Sequence, residues 1–245
     1  MRMRTKLAGL LLAISASPAW AVSAFDLNKL TSAQAGYDAL ASDLVSALSY
    51  KAVSPAEPLG LTGFDIGLEL SLTELPGIKT WGQVIGTTSL GSLPMPKLHL
   101  HKGLPFGIDL GAVYTSIPGA NIGYYGGELR YSFVSGNVAL PAVSVRGTMT
   151  KLTGVKEMDL STTGIELSVS KGFLMLTPYV GVGQVWGSAD PKGLTLGPIT
   201  LKKSEPSMSK TFAGLNFNMG LMNFAFEWDK TGDANTYSGK LGFRF

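Results

Sequence analysis

The chain has 245 residues, no cysteine, 31 glycines and only 15% charged residues, and its mean hydropathy is +0.22. At this length one all-β domain is a reasonable expectation. No apolar run reaches the eighteen or so residues of a spanning helix, and the absence of cysteine leaves neither a disulfide framework nor a thiolate metal site.

The N-terminus reads as an export signal over residues 1–21. A basic start (Arg2, Arg4, Lys6) precedes an apolar run from Leu7 to Ala16, and Ala19 and Ala21 fit the small-residue rule for cleavage. Ser23-Ala24 offers a second cleavage point. The whole chain carries 20 Lys+Arg against 17 Asp+Glu, and losing Arg2, Arg4 and Lys6 brings the mature protein to 17 of each. A neutral mature chain gives no reason to expect a nucleic-acid partner.

Residues 22–58 form a distinct N-terminal segment and linker. Leu27, Leu30, Tyr37, Leu40, Leu44 and Leu48 recur at helical spacing, Asp26 is placed to cap the start, and Ser54-Pro55-Ala56-Glu57-Pro58 ends the pattern. Two placements are compatible with its amphipathicity. The helix packs on the periplasmic mouth of the following domain, which is the simpler arrangement, or it enters that domain as a plug.

From Leu59 to Phe245 the period is two. Alternating runs occur at 64–72, 97–102, 106–115, 122–134, 141–151, 160–171, 174–186, 211–219, 222–230 and 237–245. They predict about ten antiparallel strands, with eight to twelve possible because the second run is short and the seventh alternates poorly. The expected fold class is all-β, a transmembrane antiparallel barrel with a helical N-terminal segment. Connections 76–96 and 188–210 are the longest and share a parity, as long outer loops would. Tight turns such as Gly103-Leu104-Pro105 and Gly220-Leu221 fall on the other parity.

The closing stretch, Asn235 to Phe245, alternates Tyr237, Gly239, Leu241, Phe243 and Phe245 with Ser238, Lys240, Gly242 and Arg244. With this ending the chain resembles Gram-negative outer-membrane β-barrel proteins. The resemblance covers only the last strand. It implies an outer-membrane location, lipid as a partner, and recognition of Tyr237, Leu241, Phe243 and Phe245 by the barrel-assembly machinery.

The polar face carries Asp65, Glu69, Asp109, Glu128, Arg130, Arg146, Glu166, Glu227, Asp229, Lys240 and Arg244, while the other face is apolar at mid-strand. Arg or Lys at the lipid midplane costs about 2–4 kcal/mol, so these charges are expected in the lumen. A narrow lumen requires them to pair or to be hydrated. Two readings follow: an ion-pair network that fills the barrel, with Glu128, Arg130 and Arg146 as a pairing set, or a narrow, weakly cation-preferring pore. Tyr125, Tyr131, Phe133, Trp186, Trp228, Phe243 and Phe245 fall toward strand ends, where interfacial girdles form.

His99 and His101 share a face, but no third metal ligand is identifiable and no nucleophile motif accompanies them. The glycine-rich stretches lack the Lys-Ser/Thr of a phosphate loop. No metal, cofactor or catalytic residue is therefore expected, and the functional expectation is a non-enzymatic narrow channel or structural barrel. The alternatives are a transporter of small apolar molecules with the helix as plug, and an outer-membrane hydrolase.

Overall fold

The computed structural model describes residues 27–30, 33–85, 92–117, 122–192, 195–196 and 199–245. The expected export signal, residues 1–21, lies outside them. Two helices, α1 (Ala33–Leu48) and α2 (Ile78–Ile85), accompany strands β1 (Phe64–Glu74), β2 (Ser92–Gly103), β3 (Ile108–Ile117), β4 (Ile122–Ser135), β5 (Ala142–Thr153), β6 (Met158–Ser170) and β7 (Leu176–Pro191). A small ladder, β8 (Thr195–Leu196) with β9 (Ile199–Thr200), precedes β10 (Ser207–Met219), β11 (Met222–Thr231) and β12 (Ala234–Arg244).

Ten of these strands close a barrel in the order β1-β12-β11-β10-β7-β6-β5-β4-β3-β2. All barrel pairs are antiparallel, and β1 pairs with β12 from Asp65–Arg244 to Thr73–Thr236. Phe64 and Phe245 exchange both backbone hydrogen bonds (2.8 and 3.0 Å), and their rings lie 5.9 Å apart. The terminal phenylalanine therefore completes the closing seam, and closure removes the unpaired edges that a bilayer would not tolerate.

Two ends of the barrel can be distinguished. The closing end holds Phe64, Phe245 and the connections 104–107, 136–141, 171–175 and 220–221. The loop end holds the long connections 75–91 and 192–206, together with the short 118–121, 154–157 and 232–233. Parity thus separates the two longest connections from the turns, but the described connections 154–157 and 232–233 of the loop end are as tight as those opposite. The connection expected at 76–96 is shorter, because β2 starts at Ser92, and it contains α2, whose Trp81 and Val84 are buried.

The alternation seen in sequence becomes inside and outside. On β1, Ile66, Leu68, Leu70 and Leu72 are exposed, while Asp65, Glu69, Ser71 and Thr73 are buried. Leu72, Tyr237 and Trp228 are register partners across β1, β12 and β11 and are all exposed, so an apolar wall ends in an aromatic rim toward the loop end. Phe243 and Phe245 (59% and 66% exposed) supply the corresponding rim at the closing end. An outside this apolar is matched to lipid.

Candidate functional site

The helical segment lies inside the barrel. Ten residues of α1 are buried, among them Tyr37, Leu40, Leu44, Val45 and Leu48. Of the two expected placements, the mouth and the interior, the structure has the second: α1 sits within the loop end, and the chain then runs the length of the lumen to reach β1. Ser46 donates to the Thr231 carbonyl (3.0 Å) at the loop end of β11, whereas Lys102 donates to the Leu61 carbonyl (2.6 Å) at the closing end. A Cβ added at Gly187 of β7 would fall 2.2 Å from Val45, so the wall is thinned to glycine where the helix docks.

Between these points the segment exchanges polar contacts with the wall. Lys51 bonds Asp229 at 2.8 Å, and Lys210 donates to the Tyr50 carbonyl at 2.7 Å. Arg130 donates to Ser54 Oγ (3.1 Å) and the Pro55 carbonyl (2.6 Å). Ser132 donates to the Ala56 carbonyl (2.8 Å), the Ala56 amide donates to Ser170 Oγ (3.1 Å), and the Leu59 amide to Asp109 (3.0 Å). The reason is backbone accounting. A non-helical stretch enclosed by the wall needs partners for its amides and carbonyls, and the serines, Arg130 and Lys210 supply several of them.

The wall's own charges are resolved mainly across neighbouring strands. Arg130 and Arg146 are direct register partners, a repulsive arrangement, and each turns to an acid on its other side. Arg130 meets Asp109 at 2.9 Å, and Arg146 lies 3.2 Å from Glu166 and 3.4 Å from Glu128. Within the expected set of Glu128, Arg130 and Arg146, only Glu128 and Arg146 come together. Asp65 pairs with Lys240 at 3.0 Å, and Tyr179 donates to Glu227 at 3.0 Å. Arg244 is only half-buried, at the closing rim.

Sequence reading omitted several lumen residues. Lys97 pairs with Glu69 at 2.9 Å and Lys210 with Glu166 at 2.7 Å, both fully within the barrel. With Lys51 they bring the buried Lys and Arg among the described residues to six, against seven buried acids on the strands and Asp43 on α1. Lys97 was legible as a polar-face position of its strand; Lys210 was not, because β10 starts at Ser207, four residues before the expected run, and neither was Lys51, in a linker. His99 contacts Glu69, and His101 lies 3.5 Å from Glu128, with the two rings 5.6 Å apart. Among the described residues no group of three or more His, Asp or Glu is arranged to hold a metal ion.

Toward the loop end the interior changes character. Tyr37, Leu40, Leu44, Val45 and Leu48 of α1 join Trp81 and Val84 of α2 and wall residues including Met95, Val113, Tyr124, Met158, Leu160 and Val185 in one apolar cluster. Asp43 is buried at the junction of the helices, accepting from Trp81 Nε1 (2.7 Å) and the Gly77 amide (3.0 Å). Burial pushes its carboxyl above the ordinary range, against the lowering effect of those two donors.

No family model matches the chain, and no curated protein does. The N-terminal β-barrel domain of Pseudomonas aeruginosa OprF is 13% identical, covering 76% of this chain and 99% of that one, with a TM-score of 0.36. The KdgM porin in complex with oligogalacturonate is 8% identical, covering 74% and 99% (TM-score 0.38). The attachment invasion locus protein Ail of Yersinia pestis is 15% identical, covering 75% and 97% (TM-score 0.28). The fold assignment rests on the closed strand register rather than on these likenesses. The chain is an outer-membrane-type barrel, ten-stranded, antiparallel and membrane-spanning, with its N-terminal segment enclosed.

Proposed function

We propose that this is a non-enzymatic outer-membrane barrel whose lumen is held closed by its own N-terminal segment and by buried ion pairs. The observation that carries the reading is the run of wall contacts from Lys51 to Leu59, which fills a lumen already narrow at ten strands. Conduction of small polar solutes then requires this segment to leave. The lumen acids and histidines sit among charge partners, the arrangement of a packed interior rather than of groups poised for a substrate.

Single-channel recording in planar bilayers tests this with wild type, Lys51→Ala and a deletion of residues 27–58. Wild type is expected to be largely silent, Lys51→Ala to show brief openings, and the deletion to conduct steadily. Steady wild-type conduction unchanged by either alteration overturns the reading.

The loop end is placed at the cell surface, because long connections face outward in such barrels. Lys203→Cys should react with an impermeant thiol reagent in intact cells. Val138→Cys, in the 136–141 turn, should react only after the membrane is breached. The reverse pattern inverts the orientation.

A further inference from the structure

The two ends of the barrel differ in what their connections expose. At the loop end, 154–157 and 192–206 carry Lys156, Glu157, Lys202, Lys203 and Glu205. At the closing end, the connections 104–107, 136–141, 171–175 and 220–221 contain one charged residue, Lys171, and no acid. Their tips hold the three most exposed large apolar side chains among the described residues. Leu174 and Val138 are fully exposed and Phe106 is 89% exposed, while Phe173 and Leu221 are exposed as well.

Two of these tips carry backbone strain. Phe106 (φ 64°) and Leu174 (φ 55°) occupy the left-handed region, which glycine or asparagine enters at less cost. Turn geometry disfavours both residues, and side chains this exposed gain nothing from packing within the barrel. Hydrogen bonds also join three of the connections to one another and to the last strand. Lys171 Nζ donates to the carbonyls of Asn137 and Val138 (2.8 and 2.7 Å), the Asn218 amide to that of Met175 (2.9 Å), and the Arg244 amide to that of Leu221 (2.9 Å). The tips therefore form a braced apolar crown.

The height of the outer wall points to what meets this crown. On β12 the outward face runs from Tyr237 to Phe245. At about 3.3 Å per residue and a tilt of about 40° that is about 20 Å of height, against a lipid-facing band about 25 Å tall. Toward the loop end the outward positions turn polar, with Glu74, Lys151, Asp190 and Lys230. The missing height is therefore at the closing end, where Phe217, Met219, Leu221 and Met222 carry the exposed apolar face into the β10–β11 turn.

We propose that the closing-end turns are a membrane anchor, with Phe106, Val138, Leu174 and Leu221 seated at the headgroup–acyl boundary of the adjoining phospholipid leaflet. The occupant is phospholipid because the crown continues the lipid-facing wall and its turns carry no acid; Glu57, exposed near this end, belongs to the threaded segment. Lys102 and Lys171, the cations beside the tips, then lie level with the phosphates. The lumen mouth at that end opens among headgroups instead of into bulk water. The anchor does not depend on the lumen closure proposed above, which concerns the interior.

The chain has no cysteine, so single thiols can be labelled with nitrobenzoxadiazole in the full-length protein in dioleoylphosphatidylcholine vesicles. Labelled Phe106→Cys and Leu174→Cys should be quenched at least threefold more strongly by a nitroxide near the top of the lipid acyl chain than by aqueous iodide. Labelled Lys203→Cys should show the reverse. Phe106→Gly/Leu174→Gly relieves both strained positions, so the barrel keeps its ability to fold. Its folded yield should match wild type in thin dilauroyl vesicles and fall at least threefold in thicker dioleoyl vesicles, where the lost height is felt. Iodide quenching at both tips equal to that of Lys203→Cys overturns the anchor. So does a double-glycine variant indifferent to bilayer thickness. Protection from both quenchers, with crosslinks between copies, assigns the crown to a second copy of the chain and overturns it too.

Discussion

The two halves of the lumen fill the same narrow cylinder by different means. Toward the closing end, acids and bases meet mostly on neighbouring strands: Arg130 with Asp109, Lys97 with Glu69, Lys240 with Asp65. Toward the loop end the wall turns apolar, and α1 supplies the volume its side chains cannot. Charge pairing is thus settled largely within the wall by strand register, with Lys51 of the threaded segment completing Asp229, whereas apolar filling requires a whole helix brought in from elsewhere. A barrel of this width can be rigid at one end and carry a removable part at the other.

The largest effect should come from the charged half. Arg146→Ala leaves Glu128 and Glu166 without their shared cation, and breaking a buried pair in this way costs about 3–5 kcal/mol. Urea unfolding in vesicles reads this directly, and a loss below about 1 kcal/mol would mean that water reaches the middle of the lumen. In the apolar half, Leu40→Ala should weaken the seating of α1 by about 2–4 kcal/mol. Hydrogen exchange should then rise in residues 33–48 and remain slow in the strands. Equal acceleration everywhere would show that the halves do not separate.

Smaller effects should appear where α1 meets α2. Trp81→Phe removes a hydrogen bond to the Asp43 carboxyl, worth about 1.5–3 kcal/mol if the group is ionised. Because burial raises the Asp43 pKa, the packed state holds a proton over a range in which the released state has lost it. Packing of α1 should therefore be firmest below the ordinary carboxylate range and loosen as pH rises through the raised value. Exchange rates of α1 amides measured against pH should show that slope, and Asp43→Asn should flatten it. A slope unchanged by Asp43→Asn would assign it to another group.

The smallest effect is kinetic. Deleting Phe245 removes one strand-closing hydrogen-bond pair and a ring contact with Phe64, so heat-resistant folded protein should accumulate more slowly on semi-native gels. Unchanged accumulation would detach the last residue from assembly.

The barrel was legible because a strand's two faces are written two residues apart, and Asp65-Ile66-Gly67-Leu68-Glu69 says which side meets lipid. Pro94 and Pro96 hid the start of β2, since prolines argue against a strand, and only an unpaired edge admits them. Pairing by neighbouring register was partly legible, as at Arg146 and Glu166. The lumen path of residues 49–59 was not, because its partners lie far along the chain and no local period marks them. Lys51 is the one cation in that stretch, and a buried ammonium needs an acid, but nothing local points to Asp229, 178 residues on.

The enclosure of α1 also orders the folding of the chain. Phe64 and Phe245 meet where the threaded segment leaves the barrel, so first and last strands join around material already in place. Inserting a 16-residue helix, about 10 Å across, after closure would require driving it lengthwise past every side chain of the lumen. The expected order is a sheet that curls around its own N-terminal segment with β1 and β12 the last strands to pair, which pulse-labelled hydrogen exchange during refolding would show as late protection of β1 and β12.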